Sequence, residues 1–232
     1  MNNLKFIPLI LIILIVASCF KDSKEGVVTG IVIGTFYKNN DSIYVISDTL
    51  KGVNGAEIRY YFENEDIFSN VIHNSRIYFA FKLIKERETF QYLVECLYFN
   101  IIPVRKIVYV EEDDNEIRDT LAGNAMALMN LSLSHDFLTI SARLNYDNPD
   151  LHLIYVTKDV NDQDSEKKDE VTLNLYHKDI ENKFPYYYKD SLFFISVHVK
   201  ELKDLFPEND TIYIRVLTKI NEQSSNSMRI MY

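Results

Sequence analysis

The chain has no tryptophan, and only two cysteines, five prolines and six glycines among its 232 residues. Two thiols exclude a disulfide scaffold and any zinc site built from cysteine alone. So little glycine and proline excludes collagen-like and low-complexity chains. Positive charge is also in deficit: 25 Lys and Arg stand against 34 Asp and Glu, a formal net charge of −9. Such a molecule repels polyanions, so a phosphate-binding surface would have to be local. The N-terminal apolar run, residues 6–16, is eleven residues long and interrupted by Pro8, whereas a helix crossing a bilayer needs about 20. What the chain does have is 47% apolar and 25% charged residues, ordinary for a folded protein, with 16 Tyr and 14 Phe. That aromatic excess points to β-structure.

Lys5 ahead of the apolar run makes residues 1–18 read as a secretory signal peptide. Its end, Val16-Ala17-Ser18-Cys19, resembles the lipobox of bacterial lipoproteins: a branched apolar residue, two small residues, then cysteine. The small residues let a peptidase reach the scissile backbone, and the Cys19 sulfur would carry a diacylglyceryl group. Each buried CH₂ adds about 0.8 kcal/mol of membrane affinity, and stable anchoring takes more than one chain. Phe20 is not the Asp that retains many lipoproteins in the inner membrane. The expected address is therefore the bacterial outer membrane, facing the periplasm or the cell surface.

Residues 19–26 read as a tether. Beyond them come short β-branched and aromatic runs at 27–36, 42–47 and 58–62, the first broken by Gly30 and Gly34. Glycine inside a strand marks a bulge or a sharp bend, as at a barrel corner. Residues 63–75 have helix-like spacing and read as a short helix or loop. Residues 76–85 and 90–102 flank the charged tip Glu86-Arg87-Glu88-Thr89, a hairpin signal, and 106–110 closes the set. This pattern predicts an OB-like small β-barrel over residues 27–112. The acidic run 111–116 reads as a solvated linker. Alternating runs at 126–132, 137–144, 151–157, 171–176, 192–199 and 211–218 predict an antiparallel β-sandwich over residues 117–232. The fold class expected is thus all-β, a barrel followed by a sandwich.

The lipobox ending at Cys19, the Gly30/Gly34 strand, Tyr92-Leu93-Val94 followed by Ile107-Val108, Gly123-Asn124 before an apolar strand, and Leu173-Asn174-Leu175-Tyr176-His177 together resemble the NigD-like lipoproteins of Gram-negative anaerobes. The resemblance implies the same barrel-plus-sandwich organisation and an accessory or immunity-type role near a bacteriocin system. It implies no catalytic residues, and the polar insertion at 158–170 departs from it.

Residues that could carry chemistry are few. The five histidines, His73, His135, His152, His177 and His198, form no HxH or HxxxH pair, so any metal site would need the fold to gather His152, His177 and His198. Residues 159–170 carry oxygens at several calcium-loop positions but lack the glycine of the sharp turn and include Lys167 and Lys168, so a solvated loop is the better reading. Cys96, within Glu95-Cys96-Leu97, reads as a small buried hydrophobe. Tyr186, Tyr187 and Tyr188 cluster in a turn and are candidate contacts for a protein or glycan partner. There is no nucleophile elbow, P-loop, dinucleotide fingerprint or zincin helix. A nucleic-acid groove would need basic strands that the barrel lacks. The expectation is a non-enzymatic envelope lipoprotein with no cofactor and no metal, bound to the membrane through Cys19 and binding a protein or glycan, but not nucleic acid. A glycan-binding or glycan-active lipoprotein is the rival.

Overall fold

The structure is a computed structural model that describes residues 27–39, 42–51, 55–111, 126–134, 136–146, 152–160, 169–179, 189–206, 208–209, 211–221 and 224–232. It divides into two units, Met1–Ile101 and Ile102–Tyr232.

The first unit is a closed barrel of five strands: β1 (Thr29–Lys38), β2 (Ile43–Lys51), β3 (Glu57–Phe62), β4 (Arg76–Glu88) and β5 (Gln91–Ile101). Their order is β1-β2-β3-β5-β4, and β1 also pairs with β4 to close it. Only β3 and β5 run parallel; the other pairs are antiparallel. This is the OB-like barrel expected from the sequence. β1 serves both neighbours, because Gly34 lies opposite Ser47 on β2 and Ile77 on β4. A Cβ on Gly34 would sit 2.2 Å from the Ile46 carbonyl oxygen and 2.5 Å from Val45 Cγ1. Only glycine lets the backbones approach this closely at the corner. Alternate residues fill the barrel with rings: Phe36, Tyr60, Phe62, Phe79 and Phe81 are all buried. Phe68, delivered by a 3₁₀ turn at Glu65–Phe68, plugs one end, with its ring centroid 4.4 Å from that of Phe62 and 4.8 Å from that of Phe99. The helix-like spacing of residues 63–75 was the signal for this turn.

The second unit contains β6 (Val104–Arg105), β7 (Ile107–Val110), β8 (Ala127–Ser134), β9 (Phe137–Tyr146), β10 (His152–Asp159), β11 (Glu170–Asp179), β12 (Lys189–His198), β13 (Tyr213–Asn221) and β14 (Ser224–Met231), with one short helix, α1 (Lys200–Lys203). They form a five-stranded sheet, β14-β13-β11-β10-β7, and a four-stranded sheet, β6-β12-β9-β8. Leu138, Ile140, Ala142 and Leu144 of β9, every second residue, enter one core with Val171, Leu173 and Leu175 of β11 and Ile214 and Val216 of β13. That alternation is the period-two signature of a strand buried on one side.

Two expectations need correction. The strand at 107–110 does not close the barrel; β7 pairs with β10 and β6 with β12, both in the second unit. The division therefore falls at Ile101/Ile102, ahead of the acidic run. A short alternating run shows that one face is buried but not which sheet buries it, and nothing in Ile107-Val108-Tyr109-Val110 names its neighbour. The sandwich is also mixed rather than wholly antiparallel: β6–β12, β7–β10 and β11–β13 are parallel pairs. Two of the three come from the segment that enters from the barrel and supplies an edge strand to each sheet.

Candidate functional site

Three outward tyrosines stand in register across the barrel. Tyr37 on β1 lies opposite Tyr44 on β2, which lies opposite Tyr61 on β3. Each neighbours an inward residue in sequence (Phe36, Ile43, Tyr60), so strand alternation alone turns it outward. Ring centroids are 5.3 Å apart for the stacked pair Tyr37–Tyr44 and 5.4 Å for Tyr44–Tyr61. Such cross-strand pairs contribute about 0.2–1 kcal/mol each. Arg59, two residues before Tyr61 on β3, sets its guanidinium 5.6 Å from the Tyr44 ring centroid and donates to Glu57 Oε2 at 3.0 Å. That bond holds the guanidinium more firmly protonated than usual. Arg87 lies over Tyr61 at 4.5 Å, from a stretch of β4 where the register slips between Glu86 and Glu88. At the other end, His73 meets Tyr37 edge-on at 5.6 Å, and its Nδ1 lies 3.2 Å from the Lys38 amide nitrogen.

Burial first, and then the negative charge of Glu57, pushes the Tyr37 phenol above its ordinary range. The hydroxyl is therefore protonated at neutral pH and able to donate as well as accept. One face of each ring is engaged, Tyr37 and Tyr44 by each other and Tyr61 by Arg87, so the strip offers ring edges, hydroxyls and guanidinium N–H groups. This is contact chemistry: aromatic area of low conformational entropy set among donors for carboxylates.

Arg76, close enough to Tyr37 for its charge to act on that phenol, opens β4 opposite Thr35. Its Nη1 donates to Asp48 Oδ1 at 2.8 Å and to Thr35 Oγ1 at 2.6 Å, and its Nη2 donates to Asp48 Oδ2. Both charged side chains are wholly buried. The fork of two parallel bonds locks β1, β2 and β4 together at the corner beside the strip.

The residues singled out from the sequence fare differently. Cys19, Tyr186, Tyr187 and Tyr188 lie outside the described residues, as do His135 and residues 161–168 of the calcium-loop-like segment. Cys96 is buried, and burial pushes its thiol up to about 11. The Asn64 side chain brackets it, donating to its carbonyl at 2.9 Å and accepting from its N–H at 3.0 Å, in place of the next peptide of β3. His177 is buried in the sandwich, whereas His198 is exposed against Phe137 on the other sheet. Among the described residues no three His, Cys, Asp or Glu side chains are grouped to hold a metal. The tyrosine strip and the Arg76–Asp48 pair were not anticipated. Nor was the cluster on the sandwich where Glu170, almost fully buried, meets Arg229 at 2.8 Å and Arg215 at 4.0 Å.

The closed barrel followed by a two-sheet sandwich places the chain among two-domain all-β proteins. No model of a known protein family matches it, and no curated protein does. Solved structures do. A protein of unknown function from Bacteroides vulgatus superposes with a TM-score of 0.61 at 16% identity, covering 88% of this chain and 90% of its own. A NigD-like immunity protein from Bacteroides caccae gives 0.58 at 16% identity, covering 88% and 95%. A protein from Bacteroides fragilis described as a candidate lipoprotein gives 0.54 at 9%, covering 88% and 96%. The resemblance to NigD-like proteins that the sequence carries thus extends to the fold of both domains.

Proposed function

We propose that this chain is a lipid-anchored accessory protein of the cell envelope, of NigD-like type, which acts by binding a protein partner rather than by catalysis. The observation that carries the reading is Val16-Ala17-Ser18-Cys19 at the end of a short apolar run, in a chain that shares its fold with a NigD-like immunity protein. Cys19 holds the protein at the outer membrane, and the strip of Tyr37, Tyr44, Tyr61, Arg59 and Arg87 is the contact surface. The guanidinium groups of Arg59 and Arg87, held over the rings, favour a protein partner that presents carboxylates over a neutral sugar.

Intact-mass analysis of protein purified from its own membranes tests the anchor. The expected species begins at Cys19 and carries diacylglyceryl and acyl groups; an unmodified Cys19 or a retained leader overturns it. Cys19→Ala releases the protein from membranes. For the immunity-type role, a deletion strain is expected to gain sensitivity to a bacteriocin and lose it on complementation. Complementation by an Arg59→Ala, Tyr44→Ser variant fails at unchanged membrane abundance if the strip is the contact surface. A deletion with unchanged sensitivity removes the immunity role.

A further inference from the structure

We propose that a second face of the barrel, the outward side of β1, β4 and β5, rests on the bilayer that holds the anchor. This builds on the anchoring just described. Ile31, Leu97 and Tyr98 on this face are 62%, 55% and 52% exposed, and Ile33, Tyr78 and Ala80 beside them are half-buried. The register lines them up in two rows, Ile31 opposite Ala80 opposite Tyr98, and Ile33 opposite Tyr78 opposite Asn100.

One feature of β5 enlarges this apolar surface. Tyr98 pairs with Ala80 and Cys96 with Phe81, so Leu97 is an extra residue in the strand. Regular alternation would turn only one of two consecutive residues outward. With the bulge, Leu97 and Tyr98 are both exposed while Cys96 goes in at 5%. Bulges re-aim side chains in this way. Tyr98 is amphipathic: its ring meets Tyr78 edge-on at 6.3 Å, and its hydroxyl accepts from the Asn100 amide. An apolar ring with a polar tip is the side chain that collects at membrane–water interfaces.

The occupant follows from the tether. From Cys19 to Val27 is eight steps of chain, which span at most about 26–29 Å when fully extended. Ile31 is four residues further along the first strand. A partner protein on this face would have to fit between barrel and bilayer within that reach, whereas the bilayer is already there. Charge argues the same way for the kind of contact. From Cys19 onward the chain carries 24 Lys and Arg against 34 Asp and Glu, net −10, and an anionic leaflet repels it, so an attachment that works has to be apolar and insensitive to salt.

The absence of tryptophan supplies the test, because Tyr98→Trp introduces a lone indole. The lipidated full chain is reconstituted into vesicles of phosphatidylethanolamine and phosphatidylglycerol that contain nitroxide-labelled lipid. The Tyr98→Trp emission is expected to be quenched severalfold and to stay so at high salt, while Tyr44→Trp on the strip is not quenched. Adding Ile31→Asp and Leu97→Asp to Tyr98→Trp abolishes the quenching with the circular dichroism unchanged. If both indoles are equally quenched, or neither is, in protein whose mass shows the lipid, the face does not rest on the bilayer although the anchor stands. If the mass shows no lipid, the anchor falls and this assignment falls with it.

Discussion

Replacing one member of the Arg76–Asp48 pair should destabilise the barrel more than almost any other polar substitution. Neither side chain has exposed surface, so neither charge can turn to water when its partner is lost. Asp48→Asn keeps the shape but leaves the guanidinium facing a neutral amide. Burial draws the Arg76 pKa of the parent protein down to about 10, but a guanidinium does not give up its proton at neutral pH, so in the variant the cation persists uncompensated. Breaking a buried pair in this way costs about 3–5 kcal/mol, against a total stability of about 5–15 kcal/mol for a typical domain. Arg76→Met leaves a carboxylate instead, which can escape by taking up a proton. From a reference value near 4, protonation costs about 4 kcal/mol at pH 7 and about 1.4 kcal/mol less for each unit of acidification. The Met variant is thus expected to approach the parent protein as the pH falls towards 4, while the Asn variant does not. Replacing both residues, Arg76→Met with Asp48→Leu, removes both charges and should restore most of the loss. Urea unfolding followed by circular dichroism measures all four proteins. Single variants costing less than about 1 kcal/mol, or a double variant costing at least as much as Arg76→Met alone, would refute the claim that the pair acts as one buried electrostatic unit.

Gly34→Ala should cost about 3 kcal/mol or more, because its Cβ meets a backbone carbonyl oxygen at 2.2 Å. Gly30→Ala should cost less, since it meets only the end of the Phe81 ring at 2.8 Å; equal losses in denaturant midpoint would contradict this. Tyr60, raised to about 12 chiefly by burial and then by Tyr92, keeps its proton in the folded state where the unfolded chain loses it. Its stabilisation is therefore complete below pH 10 and fades by roughly 3 kcal/mol between pH 10 and 12. Tyr60→Phe should flatten that alkaline decline in stability, and an unchanged slope would assign the decline to other groups. Cys96, with its thiol pushed up to about 11, should resist alkylation at neutral pH in the native protein and react promptly once denatured; fast native labelling, followed by mass, would mean that its pocket opens.

Most strands of the fold could be read from alternation and from glycine. Leu138, Ile140, Ala142 and Leu144 give a strict inward row, and Gly34 announces a corner because no other residue fits there. β14 left almost no trace. Its stretch Ser224-Ser225-Asn226-Ser227 is polar, and only Met228 and Ile230 pack against the core. An edge strand takes its place from backbone bonds to β13 more than from apolar side chains. β7 was misplaced for the complementary reason: its side chains are suitable for a strand in either unit, and pairing between distant segments is decided by backbone geometry that a short run does not encode; the two-residue β6 was too short to read at all.

The candidate site was harder to read than the fold, for a related reason. Tyr37, Tyr44 and Tyr61 each stand beside an inward residue, so alternation does say that they face out. It does not say that they face out side by side. That depends on registers set by the corner at Gly34 and by the loops that join the strands, and a slip of one residue would turn each ring into the barrel. The same holds for Arg76 and Asp48, 28 residues apart in sequence. A lone Arg and a lone Asp at strand ends read as solvated charges until β1, β2 and β4 meet at one corner. Chemistry borne on neighbouring residues, such as Val16-Ala17-Ser18-Cys19, is legible from a single sequence because the chain itself supplies the spacing. Chemistry assembled across strands becomes legible only when the ladder is known, and on a small barrel nearly all of the outer surface is of that second kind.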